Sequence, residues 1–277
     1  MTEQTTKRFA LKIAYQGTAY QGWQRQAGRE GAASVQATLE AALQKIIGSE
    51  ITVHGSGRTD SGVHALGQVA HVDLPTQLPA QAIKAKLNPL LPADVRILQC
   101  AEVDAEFDAR RSAIRREYVY RLAWGRDYAL PLPAGHQWGY AQQAVRAEKL
   151  AEVGALFQGD HPFDMFRSSA CEAKRTQLTI EKSEWHVMSD VEKETAMLPP
   201  EVNAAVYRVA CRSFVMHMVR RLVGAAILYS QGHITRGDIE MALNQKQPLP
   251  KILLAPVQGL CLTNVCYVDD PFAPSSQ

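Results

Sequence analysis

The residues best equipped for chemistry lie in one stretch, GRTDSGVHALGQVAHVD, running from Gly57 to Asp73. Its first eight residues hold Gly57, Arg58, Asp60, Gly62 and His64. An arginine two residues from an aspartate favours the charged form of the carboxyl group, and an ionised carboxylate can act as a nucleophile or a base. Glycines on both sides let the backbone approach a substrate and give the loop conformational freedom. The same spacing also suits an ordinary turn in which Asp60 bonds its own loop amides. Other chemistries are less well supplied. His54, His64, His71 and His217 show no HExxH spacing, and no HxE is followed by PCxxC, so a zinc deaminase is not indicated and the histidines read as structural. Cys100, Cys171, Cys211, Cys261 and Cys266 are scattered without a CxxC pair. That pattern suggests neither a zinc site nor a disulfide framework and predicts buried, reduced thiols.

The elements that must position Asp60 can be read from periodicity. RFALKIAY (8 to 15) alternates Phe9, Leu11, Ile13 and Tyr15 against Ala10, Lys12 and Ala14, as a strand buried on one face would. Ser34 caps a helix with Val35, Leu39, Leu43, Ile46 and Ile47 at helical spacing, and Gly48 stops it. Residues 51 to 54 and 67 to 74 read as strands around the glycine-rich loop, followed by a helix near 79 to 88 and a strand near 95 to 103. REYVYRL (116 to 122) puts Tyr118, Tyr120 and Leu122 on one strand face. Beyond it come a helix from about 141 to 157, strands near 176 to 187 and 204 to 213, helices near 214 to 231 and 235 to 245, and a strand in GLCLTNVCYV (259 to 268). Thr235 is a good cap for the last helix, whereas 189 to 203, with Pro199, Pro200 and several acids, reads as a surface excursion. The expected fold is α+β: two similar sheet-and-helix halves, 1–105 and 106–277, forming a continuous, largely antiparallel sheet. Helices would cover one face and leave the other for a ligand.

With 277 residues and 46% hydrophobic content the chain can bury a core without staples. No apolar run approaches the roughly 18 residues that cross a bilayer, and MTEQTTKRF lacks a signal peptide's apolar stretch, so a cytoplasmic protein is expected. Net charge is only +2, from 30 Lys+Arg against 28 Asp+Glu, yet its distribution is uneven. Arg110, Arg111, Arg115, Arg116, Arg121 and Arg126 face only Asp108 and Glu117 within 107 to 126, and 202 to 237 contains no carboxylate. Such segregation suits an anionic ligand and equally describes a solvated basic surface.

GRTDSGVHALGQVAHV resembles the catalytic motif of the bacterial tRNA pseudouridine synthase A family. The likeness continues through YQGTAYQGWQRQ (15 to 26), SVQATLEAAL (34 to 43), FDARRSAIRREYVYRL (107 to 122), LFQGDHPFDMFRSS (156 to 169), FVMHMVRRLVG (214 to 224) and APVQGLCL (255 to 262). Gln16 stands where the family usually has Asp. The resemblance implies that Asp60 attacks a uridine, that the glycosidic bond to N1 breaks, and that the base turns and rejoins the ribose through C5. No metal or organic cofactor is needed for an isomerisation. It further implies that Arg58 fills the space of an extruded base, that Tyr118 stacks on uracil and takes the C5 proton, and that Leu260 packs beside the base.

Arg220, in an apolar helix, needs an acidic partner, for which Asp60 is the expectation. Arg221 suits a snorkelling position better. Phe107, Arg110, Arg111, Arg126, Arg167, Ser168 and Ser169 are expected to contact RNA, since arginine and serine suit phosphate and sugar. The family implies tRNA as substrate, at positions 38, 39 and 40 of the anticodon stem-loop, and a homodimer. Two rivals remain at this point: a non-catalytic RNA-binding sheet, for which Trp23, Tyr118 and Tyr120 would be exposed stacking aromatics, and a small-molecule hydrolase or lyase using Asp60 with a histidine.

Overall fold

A computed structural model of the protein describes residues 6–25, 33–125, 138–141 and 145–273. The chain packs as two compact units, Met1–Arg115 with Leu262–Gln277, and Arg116–Cys261. Both are mixed α+β and mostly antiparallel in their strand pairing.

The first unit is built on β1 (Thr6–Tyr15), α1 (Val35–Ile47), β2 (His54–Gly55), β3 (His64–Pro75), α2 (Ala80–Leu87) and β4 (Val95–Val103). β1 lies between β3 and β4, antiparallel to each, and β2 adds a short antiparallel pairing at His71 and Ala70. Phe9, Leu11, Ile13 and Tyr15 are buried as the alternation in β1 predicts, but Ala10, expected on the open face, is fully buried as well, because β1 is an interior strand of the sheet. Helix α1 is delimited as its caps predict. Ser34 Oγ accepts the Ala37 N–H at 3.2 Å, and Gly48 adopts a left-handed φ of 84°, which its missing Cβ allows. Of the strand expected at 51 to 54 only His54 is included, because the chain turns there into the loop that carries Asp60.

The second unit contains most of β5 (Ala113–Trp124), then β6 (Gly139–Ala141), α3 (Ala147–Phe157), β7 (Gly159–Pro162), β8 (Gln177–Val187), α4 (Asp190–Thr195), β9 (Asn203–Cys211), α5 (Met218–Ser230) and α6 (Arg236–Leu243). Its strands run in the order β5, β9, β8, β7, with β6 parallel to β5. The last strand, β10 (Leu260–Tyr267), begins here and continues beside β3 in the first unit. Thr235 caps α6 through a reciprocal bond with Asp238, as its type predicts.

Several expectations are corrected. The helix expected from 141 starts at Ala147, because 139 to 141 pair with β5, and Gly139 lies so close to Tyr120 that a Cβ would sit 1.9 Å from the phenol oxygen. Residues 214 to 217 are not helical. The Met216 carbonyl accepts the Ser168 N–H at 3.0 Å, and His217 takes a left-handed φ of 63° before α5 starts. Nor is 189 to 203 merely a surface excursion. Ser189 and Glu192 form a capping box for α4, and Leu198 and Val202 bury themselves with Ala123, Trp138 and Ala204. Finally, Cys171 and Cys266 are only partly buried, unlike Cys100, Cys211 and Cys261, though all five are free thiols.

Candidate active site

Two segments distant in sequence make the Asp60 loop. At its root the fully buried Gln68 side chain accepts the Ser56 hydroxyl at 2.7 Å and donates to the Gly57 carbonyl at 2.9 Å, while Ser56 N–H reaches the Val69 carbonyl at 2.7 Å. Thr59 turns inward, its hydroxyl 2.8 Å from the Tyr15 hydroxyl and its carbonyl accepting the Trp23 N–H at 3.1 Å. The Asp60 carbonyl closes a turn onto the Val63 N–H at 3.2 Å, and Gly62, at φ 82°, donates to the Tyr20 carbonyl. The segment YQGTAYQGW therefore presses its backbone directly against the loop. A Cβ on Gly17 would meet the Val63 carbonyl oxygen at 1.9 Å, and one on Gly22 would meet that of Thr59 at 2.5 Å. Sequence alone suggests a loop made adaptable by glycine. In the folded chain two glycines outside the loop, Gly17 and Gly22, let a second segment press against it, and Asp60 is half-buried on a loop held from below and from one side. Arg58, two residues earlier, is exposed.

A second loop in the same unit carries Phe107, Arg110 and Arg111. Asp108 Oδ1 accepts the backbone N–H groups of Arg110 and Arg111, each at 2.8 Å, and the Ser112 hydroxyl accepts the Asp108 N–H. Burial pushes the Asp108 carboxyl upward, but those two N–H groups outweigh it and hold it below the ordinary carboxylate range. Both arginine side chains are exposed, whereas the Phe107 ring packs 5.1 Å from Tyr267 and edge-on to His71. His71 and His64 both accept a backbone N–H at Nδ1, from Ala109 and Gly17 respectively, each at 3.1 Å. These bonds make both histidines structural holders of loops. Among the described residues no three His, Cys, Asp or Glu side chains come together as a metal site.

The second unit holds the remaining candidates. Tyr118 lies in β5 with 9% of its surface exposed, and Phe214 stands edge-on to it with ring centroids 5.1 Å apart. Helical periodicity puts Phe214 inside a helix and hides this contact; its position one turn before a basic helix is the signal that the sequence offers. Tyr120 is fully buried, its hydroxyl donating to the Pro256 carbonyl at 2.8 Å, and burial raises its pKa. Arg220 is half-buried and donates from Nε to the Ala255 carbonyl at 2.8 Å. Arg221, expected to snorkel, has Nε buried without a hydrogen-bond partner among the described residues. Leu260 is buried.

Around the 167–169 turn, Arg167 donates to the Ala173 carbonyl and approaches Asp164 at 3.6 Å, Ser168 Oγ accepts the Ala170 N–H, and Ser169 is exposed. Arg126 lies outside the described residues. Trp23 is 3% exposed, Tyr118 9% and Tyr120 0%, so these three do not form the open stacking surface that a bare RNA-binding sheet requires.

The first unit thus carries a carboxylate on a pinned loop two residues from an exposed arginine and, on a second loop, two more exposed arginines, the charge pattern of a class of proteins that take anionic ligands. Comparison with known proteins makes this specific. A family model described as tRNA pseudouridine synthase matches residues 12–110 and 154–268. A Paramagnetospirillum magneticum protein named tRNA pseudouridine synthase A is 37% identical over 262 residues, 94% of this chain and 95% of its own. A protein of the same name from a Ruegeria species is 37% identical over 270 residues, 96% and 98% of the two chains. A solved Cbf5–Nop10–Gar1 complex aligns at a TM-score of 0.32 and 12% identity, over 79% of this chain and 44% of that one, too distant to add to the sequence relationship. The chain belongs to the tRNA pseudouridine synthase family, a family of isomerases. Among the described residues no helix is long and apolar enough to cross a membrane.

Proposed function

We propose that this protein converts uridine to pseudouridine in tRNA, at positions 38, 39 and 40 of the anticodon stem-loop, with Asp60 as the nucleophile. The N1–C1′ bond breaks, the freed uracil turns, and a C5–C1′ bond forms. C5 then gives up its proton, N1 gains one, and the product is an isomer of the substrate, so no cofactor takes part. The observation that carries this reading is the pinned Asp60 loop in a chain that matches synthases of this name over 94% of its length. A carboxylate whose backbone is fixed on both flanks attacks from a set position, which shortens the search for a reactive geometry.

In this reading Arg58, exposed beside Asp60, takes the place of the extruded base. Tyr118, steadied by Phe214, meets the uracil on the narrow part of its ring left open and accepts the C5 proton. Leu260 packs beside the base, and Arg220 pairs with Asp60. Arg110, Arg111, Arg126, Arg167 and Ser169 hold phosphate and sugar. Phe107 and Ser168 act through the backbone they pack or bond. The reading places the enzyme in the cytoplasm as a homodimer, since two copies would grip RNA over a wider span.

The test is direct. Wild-type protein and Asp60→Ala are incubated with unmodified tRNA transcripts and pseudouridine is mapped by position. Product at 38 to 40 from the wild type, with retained binding and no product from Asp60→Ala, is expected. Product from Asp60→Ala would reject the nucleophile, and none from the wild type would reject the function. Sedimentation of the free protein tests the dimer.

A further inference from the structure

The loop bearing Arg110 and Arg111 is clasped from beneath by three side chains of the first unit. Arg8, itself paired with both oxygens of Asp73 at 2.7 and 2.8 Å, donates to the carbonyls of Ala105 and Phe107. Tyr267 donates its hydroxyl to the Ala109 carbonyl at 2.7 Å, and His71 Nδ1 accepts the Ala109 N–H at 3.1 Å. The residue just before the two arginines is thus gripped at both of its backbone polar groups. Arginine and tyrosine can only hold or lose such a bond through movement, but histidine can lose it through a proton. A backbone N–H only donates, so Nδ1 must be bare and the ring neutral, with its proton on Nε2.

The surroundings of the ring favour that state. His71 is 6% exposed, stacked on His54 of β2 at 4.9 Å and met edge-on by Phe107. The charged groups facing it are Arg8 from β1, His54, Asp73 on its own strand, and Asp108 from the loop. Burial holds its pKa below the ordinary histidine value. His54 and Arg8 add to that, and Asp108 and Asp73 oppose it.

We propose that His71 is a positioning residue for tRNA binding: its neutral ring clasps Ala109 and so aims Arg110 and Arg111, and its protonation releases them. The inference rests on the reading that these arginines contact tRNA. The direction follows from the depressed pKa. The clasp is complete above the free-histidine value of about 6.5 and weakens as pH falls below it, because the released loop binds the proton more readily than the clasped one. Acid ordinarily strengthens RNA binding by making a protein more cationic, so weaker binding in acid has the opposite sign from the general effect.

The experiment uses the full chain in an Asp60→Ala background, where no turnover complicates binding. The Kd for an unmodified tRNA transcript is measured at fixed ionic strength between pH 7.5 and 5.5, together with deuterium uptake of the 105–112 segment corrected for intrinsic exchange. Three chains are compared: His71 intact, His71→Asn, whose amide oxygen can replace Nδ1 without titrating, and His71→Leu. With His71 intact, binding should weaken about tenfold towards pH 5.5, the scale of one lost hydrogen bond, and protection at Ala109 should fall.

His71→Asn should bind as the intact chain does at pH 7.5 and stay flat, and His71→Leu should be about tenfold weaker throughout. Equal pH profiles of binding, or equal Ala109 protection at pH 5.5, for the intact chain and His71→Asn would overturn the inference. That pair decides even if His71→Leu does not fold. Pseudouridine formation by the wild-type enzyme is recorded in parallel, so failure of the clasp stays distinct from failure of the proposed function.

Discussion

Replacing Gly22 with alanine should disable the enzyme without touching any group that meets substrate. The new Cβ would lie 2.5 Å from the Thr59 carbonyl oxygen and 3.1 Å from the Asp60 carbonyl carbon. Ordinary contact begins at 3.4 Å, so the first of these is about 0.9 Å too short and the carbonyl must retreat by about that much. Both obstructing atoms are backbone, so no side chain can swing aside. The residue also holds φ at 93°, which costs an L-residue about 1–2 kcal/mol, and overpacking adds about 1–3 kcal/mol. A loss of about 2–5 kcal/mol in unfolding free energy is expected, with kcat/KM down about 100-fold because a displacement near 1 Å carries Asp60 with it.

Gly48→Ala is the control. Its φ of 84° imposes the same backbone strain, yet nothing lies within 4 Å of the added carbon at this C-cap of α1. It should lose about 1–2 kcal/mol and keep full kcat/KM. Urea unfolding gives the stabilities and timed pseudouridine formation the rates. Wild-type turnover in Gly22→Ala, or equal losses of turnover in the two variants, would refute the link between this glycine and the placement of Asp60.

Gln68→Leu leaves the Ser56 hydroxyl and the Gly57 carbonyl without their partner at the loop root and should cost about 2–4 kcal/mol in urea unfolding, whereas an unchanged midpoint would show that the root does not depend on it. Tyr118→Phe keeps the ring and its contact with Phe214, so tRNA affinity should stay while turnover falls at least 100-fold; normal turnover would remove the hydroxyl from the proton transfer. Arg58→Ala should lower kcat far more than it weakens binding, and equal losses of both would count against base extrusion. Binding by the wild type should weaken steeply between 50 and 200 mM salt if phosphate contacts dominate, by roughly a thousandfold for about six contacts, and a flat response would reject them.

Much of the scaffold was legible because local rules and tertiary packing agree. Ser34, Thr235 and Gly48 bound their helices as their side-chain chemistry dictates, and the alternation in β1 and β5 identifies the faces that bury Phe9, Ile13 and Tyr120. What was not legible depends on partners far along the chain. Periodicity ran α5 back through Phe214 because nothing local reveals that the Met216 carbonyl is taken by Ser168. The prolines and acids of 189 to 203 disguised Leu198 and Val202, whose burial depends on Trp138 and Ala123. Within the candidate site the motif gave Asp60, Arg58 and their loop. It did not reveal that Gly17 and Gly22 matter for what their hydrogens allow to approach, a property of the surface they meet.

Strand β3 holds both loops: Gln68 fastens the carboxylate's loop and, three residues on, His71 fastens the loop of the two arginines. A strand advances about 3.4 Å per residue, so these anchor points are a fixed span of about 10 Å apart. That stretch of backbone behaves as a gauge block between the loop of the carboxylate and the loop of the two arginines. An inserted or deleted residue between the two anchors would reset the gauge and turn one anchor to the opposite face of the sheet, so length there is constrained more tightly than residue type.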